Sequence, residues 1–168
     1  YTTQERRSIR PCLDVNGIVG GFTAEGSKTI IPRQASAKVS MRLVPNQRCD
    51  KIAALFREHI ERIAPSDVKV EVIEHHGCDG FLIPVSSKAY RAASRAIGEV
   101  YGTEPVPSRG GGSIGILAEM QQILGADPLL MGFGLERDFI HSPNESYLLD
   151  QLFKGMESIA LFYKYYDK

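Results

Sequence analysis

An α+β fold, an antiparallel sheet with helices on one face, is the class this sequence predicts, and three patterns predict it. Ala35, Ala37, Val39, Met41 and Leu43 alternate with Ser36, Lys38, Ser40 and Arg42, which is the period of a strand with one apolar face. Ile52, Leu55, Phe56, Ile60 and Ile63 instead follow helical spacing and stop at Pro65. The order of segments is strand, strand, helix, strand, helix, not the regular strand–helix alternation of a parallel sheet.

The first ten residues are polar and basic, with Arg6, Arg7 and Arg10 and no clear period, and read as an N-terminal arm (residues 1–10) of a piece cut from a longer chain. Leu13, Val15 and Ile18 make a short alternating segment closed by Gly20-Gly21, and Thr29-Ile30-Ile31 a second one closed by Pro32. After the strand at 35–44 and the Pro45-Asn46-Gln47 turn, Asp50 is placed to cap the first long helix. Val68, Val70 and Val72 alternate with Lys69 and Glu71, predicting another half-buried strand. Ser87 opens a helix that runs to Tyr101 and stops at Gly102. This order resembles a ferredoxin-like unit without its opening strand and helix.

Beyond Pro105 the character changes. A glycine-rich loop, Arg109-Gly110-Gly111-Gly112-Ser113, leads into a helix over about Ile114 to Leu124. Leu129-Leu130-Met131 reads as a buried strand, and a last helix runs from Leu149 to about Tyr163. A lobe boundary falls near Pro105 to Ser108, separating residues 11–106 from residues 107–168.

The chain has 168 residues and 43% hydrophobic content, enough for one ordinary domain or two small lobes. Twenty basic and twenty acidic residues give a formal charge of zero, so no electrostatic footprint for nucleic acid or an anionic membrane is expected. No apolar run approaches the ~20 residues of a membrane helix. Cys12, Cys49 and Cys78 form neither a CxxC pair nor a dense framework, which favours reduced, buried thiols and a cytoplasmic setting.

Four features could carry chemistry. The glycine loop leaves backbone N–H groups uncovered at a helix start, where a carboxylate or phosphate could sit; it lacks the Lys of a phosphate-binding loop, and a flexible turn joining two lobes is the other reading. His141 precedes Ser142-Pro143-Asn144-Glu145, which matches a capping box with Pro at the first helical position. It is either a local turn residue or an imidazole held rigidly enough to bind metal. Arg42, on the polar face of the clearest strand, is a solvated charge or a bidentate clamp for a carboxylate. Thr29 reads as a β-former. His75 and His76 would point to opposite strand faces and cannot share one ion.

Five runs taken in order, Pro11 to Ile18, Gly26 to Pro32, Met41 to Pro45, Gly111 to Ile114 and His141 to Glu145, resemble the carnosinase-like dinuclear zinc peptidases, with "LDVNG" and "SKTIIP" nearest to the dipeptidase branch. The resemblance implies that residues 11–106 are most of a lid that mediates homodimerisation. Residues 107–168 are then the C-terminal α/β segment of a catalytic domain. It implies His141 as the last metal ligand and Arg42 as the substrate carboxylate clamp. Gly112, Ser113 and Ile114 would line the substrate site, and Thr29 would reach the partner subunit's active site. It also implies two zinc ions in the intact enzyme, with manganese or cobalt as alternatives, and a dipeptide or N-acyl amino acid amide as substrate. The remaining ligands and the general base would precede this region, so the isolated chain is expected to be inactive and to hold no zinc tightly. Two departures stand out. Gly110 follows Arg109 where relatives carry Glu, a change that bears on recognition of a free substrate amino group, and Arg137-Asp138-Phe139-Ile140 make a bulkier rim before His141. The competing classes are a non-catalytic dimerisation or binding module and, third, a phosphate or nucleotide site at Gly110 to Ser113.

Overall fold

A computed structural model describes residues 1–110 and 114–167. The chain divides into two compact units, Tyr1–Phe81 with Arg109–Ala118, and Leu82–Ser108 with Glu119–Lys168. The class is α+β: a two-stranded antiparallel sheet accompanied by helices.

In the first unit, strand β1 (Cys12–Gly20) pairs with β2 (Ala35–Arg42). The register sets Leu13 opposite Met41 and Val15 opposite Val39, so these four share a face. Cys12–Arg42 and Asp14–Ser40 share the other. This is the division that the alternation in 35–44 predicts. A bulge between Val15 and Gly17 leaves Asn16 without a partner and reverses the alternation beyond it.

The first helix, α1 (Thr3–Ser8), lies in the stretch expected to be an arm. Its cause is a capping box: the Thr2 hydroxyl accepts from the Glu5 N–H at 3.2 Å, and the Glu5 carboxylate accepts from the Thr2 N–H at 2.6 Å. The Thr2 N–H, and after it the Thr2 hydroxyl donating to the same carboxylate at 2.9 Å, hold the Glu5 carboxyl below the usual carboxylate range. Helix α2 (Cys49–Ile63) begins one residue before Asp50, which is therefore inside the helix, where its carboxylate pairs with Arg48 at 3.0 Å. The Cys49 N–H at the helix start is met instead by Asp79, thirty residues on, at 2.8 Å.

Three expected strands are absent. Thr29-Ile30-Ile31 lies in the long connection between β1 and β2, and residues 68–73 and 129–131 form no ladder. Alternation makes a segment compatible with a strand, but the state requires a neighbour to complete its hydrogen bonds, and β1 and β2 pair only with each other among the described residues. Leu130, expected in the interior, is 54% exposed.

Residues 74–80 run past the start of α2. The Arg57 guanidinium meets the Glu74 carboxylate at 3.3 Å, and Gly80 passes so near Val44 that a Cβ there would lie 2.4 Å from the Val44 carbonyl oxygen. Because that obstacle is backbone, Gly80→Ala is expected to cost about 1–3 kcal/mol. Gly17→Ala, whose Cβ would meet only the end of the Lys38 side chain at 4.0 Å, serves as the control. Urea unfolding of both variants checks this, and equal midpoints would contradict the close approach.

The second unit is built on α3 (Lys88–Tyr101) and α5 (Leu149–Tyr166), which pack together. Helix α3 is bounded as predicted: Ser87 accepts from the Tyr90 N–H at 3.1 Å, and Gly102 ends it in the left-handed region at φ 69°. Small residues let the pair approach, with Ala92, Ala93 and Ala96 buried on α3 and Gly155 and Ser158 buried on α5. The Phe133 ring fills the space beside Gly155, where a Cβ would sit 2.9 Å from it, and the Tyr101 hydroxyl bonds Gln151 at 2.8 Å. Helix α4 (Ile116–Leu124) starts two residues later than expected, and α5 continues three residues further.

Candidate metal and substrate site

Arg42 ends β2, opposite Cys12, with its side chain exposed on the polar face of the sheet. The same face carries Asp14, whose carboxylate accepts the Cys12 thiol at 3.3 Å. That bond pushes the Cys12 thiol up and outweighs the opposing pull of the Arg42 charge. Cys49 is also pushed up, first by burial and then by Asp79. All three cysteines are free and half-buried, less enclosed than expected. Neither Cys12 nor Cys49 has the lowered pKa of an activated nucleophile.

Thr29 is exposed in the connection between β1 and β2, and Ile114 is exposed just before α4, its carbonyl accepting the Leu117 N–H at 3.1 Å. Gly112 and Ser113 lie outside the described residues. Around Gly110 a Cβ would meet nothing within 4 Å, so the position offers room for a larger side chain. Thr29, Arg42, Gly110 and Ile114 all belong to the first unit, and His141 belongs to the second.

His141 does not introduce a helix. The capping-box pattern of Ser142 to Glu145 is answered by a turn, because Asn144 adopts a left-handed conformation (φ 63°) that no helix continues, and α5 waits until Leu149. The Glu145 carboxylate accepts instead from the His141 N–H at 3.3 Å, and the Ser142 N–H bonds the Phe139 carbonyl at 2.8 Å. His141 is itself left-handed at φ 64°, with an exposed side chain.

The rim before it is partly as expected. Phe139 and Ile140 are exposed and supply bulk, but Asp138 turns inward and is 1% exposed. Its carboxylate accepts from the Leu135 N–H at 2.7 Å within a 3-10 turn, Glu136–Asp138. The sequence pattern places Asp138 only in the exposed rim, whereas it is buried. The signal was available in retrospect: an Asp three residues after Leu135 can fold back on that residue's N–H, as turn-forming Asp commonly does.

Among the described residues no group of three or more His, Cys, Asp or Glu side chains could hold a metal ion. An exposed imidazole on a loop braced by its own hydrogen bonds fits the part of one donor, since coordination demands a ligand fixed in direction and open to the ion. Among the described residues no helix is long and apolar enough to cross a membrane.

The sequence model of peptidase family M20/M25/M40 matches residues 7–165. The chain is 32% identical over 94% of its length to the Cys-Gly metallodipeptidase of Saccharomyces cerevisiae, covering 34% of that protein. It is 32% identical over 91% of its length to the human Beta-Ala-His dipeptidase, covering 31%. It thus spans about a third of the length of these curated relatives. Among solved structures it is similar to an M20 family metallo-carboxypeptidase from Sulfolobus solfataricus, with a TM-score of 0.84 and 30% identity over 96% of this chain and 37% of that one. It is also similar to the di-peptidase Dug1p of Saccharomyces cerevisiae, with a TM-score of 0.80 and 31% identity over 97% of this chain and 35% of that one.

Proposed function

This chain belongs to peptidase family M20/M25/M40, and we propose on that premise that it is the C-terminal part of a metal-dependent hydrolase of dipeptides or N-acyl amino acid amides. The observation that carries the reading is His141, exposed on a loop that its own backbone bonds hold in shape. In this reading residues 11–106 form most of a lid and residues 107–168 close the catalytic domain. His141 gives one imidazole nitrogen to a two-metal centre whose other donors, and whose general base, lie outside the chain. When bound, the ions, zinc or alternatively manganese or cobalt, polarise the scissile carbonyl and acidify a water.

The chain's own residues bind and orient. Arg42 takes the substrate carboxylate through two parallel N–H bonds, a geometry that fixes direction as well as position. Gly112, Ser113 and Ile114 line the substrate at the start of α4, and Thr29 reaches into the site of a second copy. Gly110, with open space where relatives carry a carboxylate, removes the partner of a free amino group and admits N-acylated substrates beside dipeptides. The homodimer is supported by the two-stranded sheet, whose outer edges have no strand partner among the described residues. The three free thiols support a reducing, cytoplasmic setting.

The same sheet edges favour the second reading, a non-catalytic dimerisation module. Assaying the full-length protein on a dipeptide and on an N-acyl amino acid separates the two. Hydrolysis is expected to vanish on chelation and to return with a divalent metal, while the 168-residue chain alone cleaves neither. Hydrolysis that survives metal removal would contradict the peptidase reading, and dimerisation with no turnover by the metal-loaded full-length protein would favour the module.

A further inference from the structure

Between Leu135 and Ser146 the backbone is left-handed at three residues that are not glycine: Phe139 (φ 53°), His141 (φ 64°) and Asn144 (φ 63°). For Phe139 above all, such a conformation persists only where the surroundings over-determine it. Within the loop the His141–Glu145 and Ser142–Phe139 bonds add to the constraint, and one residue anchors its base. Asp138 bonds Leu135 twice, its carboxylate accepting the Leu135 N–H at 2.7 Å and its own N–H donating to the Leu135 carbonyl at 3.0 Å. At the other end its carbonyl accepts the Ser146 N–H at 3.0 Å. Backbone bonds of Asp138 thereby close the loop that carries His141 at its base, and the Asp138 side chain, 1% exposed, pins the turn at Leu135 on which that closure stands. Gly134 makes room for this closure, since a Cβ there would stand 2.9 Å from Ile140 Cδ1 and 3.8 Å from Asp138 Oδ2.

We infer that Asp138 is a positioning residue: by tying both ends of the 135–146 loop, it holds His141 in the left-handed conformation from which the imidazole is presented to the metal. The inference rests on the reading of His141 as a metal donor. Asp138 touches neither the ion nor the substrate. Its effect is on the direction and rigidity of the ligand: without the carboxylate the Leu135 N–H loses its acceptor and the turn from which the loop starts is loosened.

Cobalt titration of the full-length protein, followed by visible absorption, tests this with melting temperatures read in parallel. Asp138→Ala is expected to weaken cobalt binding by about 10- to 100-fold, the range for groups that orient a metal ligand. Asp138→Asn, which keeps an acceptor oxygen for the Leu135 N–H, restores most of it. Gly155→Ala, which presses on Phe133 within the same unit, supplies a variant destabilised without touching the loop; it lowers the melting temperature but leaves cobalt affinity unchanged. If Asp138→Ala weakens cobalt no more than Gly155→Ala while His141→Ala still loses a cobalt, the inference is overturned and the reading of His141 stands. If His141→Ala leaves cobalt binding intact, both fall. Should Asp138→Ala not fold, Ser146→Pro, which removes the N–H that the Asp138 carbonyl accepts, tests the other tie of the loop: cobalt held as tightly as by Gly155→Ala overturns the inference.

Discussion

In the full-length enzyme, His141→Ala is expected to empty one metal position and to lower kcat by about 10²- to 10³-fold, the rate equivalent of losing several kcal/mol of transition-state charge stabilisation. The loss is large because an imidazole on a braced loop cannot be replaced by a neighbour. The side chains nearest in sequence are Ile140, which has no donor atom, and Ser142, a weak ligand at best. Stability of the metal-free protein should hardly move, because the His141 side chain is exposed and the bond to Glu145 is made by its backbone N–H, which alanine retains. Alanine and histidine both bear the left-handed cost, so the difference between them should stay well below the ~1–2 kcal/mol of that region. Metal content by elemental analysis, with kcat and melting temperature on the same samples, distinguishes loss of a ligand from loss of the fold. Full metal occupancy with unchanged kcat would rule the ligand out.

The second large effect belongs to Arg42. Arg42→Ala in the full-length enzyme is expected to lower kcat/KM by about 30- to 100-fold, which is the 2–3 kcal/mol typical of truncating one partner of a hydrogen-bonded charge pair. Unfolding stability should change by about 0.5 kcal/mol or less, because the side chain lies exposed at the end of β2. Arg42→Lys keeps the charge but not the fork, so it should recover little of the loss. A substrate whose C-terminal carboxylate is amidated provides the complementary measurement: the wild-type enzyme should discriminate against it, and the Arg42→Ala enzyme should not. Equal kcat/KM for the wild-type and the Arg42→Ala enzyme would remove Arg42 from the substrate site.

How far these residues were legible in the sequence depends on the range of the forces that place them. Arg42 was assigned to a polar face from alternation alone, and the β1–β2 register puts it there, because side-chain direction in a strand is a local property with period two. The bodies of helices α2, α3 and α5 are legible for the same reason, and for α3 the end signals Ser87 and Gly102 as well, because these patterns are contained within the segments. The strands expected at 29–31, 68–73 and 129–131 depended on a partner that no local pattern can guarantee. The start of α2 shows the same limit: Asp50 has the chemistry of a cap, yet the Cys49 N–H is satisfied by Asp79 from a distant segment. Around His141 the difficulty is different. The Ser142-to-Glu145 pattern was recognised, but a left-handed Asn144 turns the same residues into a closed loop, and the glutamate bonds His141 where a helix start was expected. Gly112 and Ser113 lie outside the described residues, so their part rests on the resemblance and the family match.

The account turns on the imidazole of His141 being bonded to a metal in the full-length protein. An anomalous-difference map from crystals of the metal-loaded protein answers this without reference to activity. A peak is expected about 2.0–2.1 Å from a ring nitrogen of His141, the usual Zn–N distance. A fully occupied metal centre with that ring turned away, and no peak within bonding distance of it, would contradict the account.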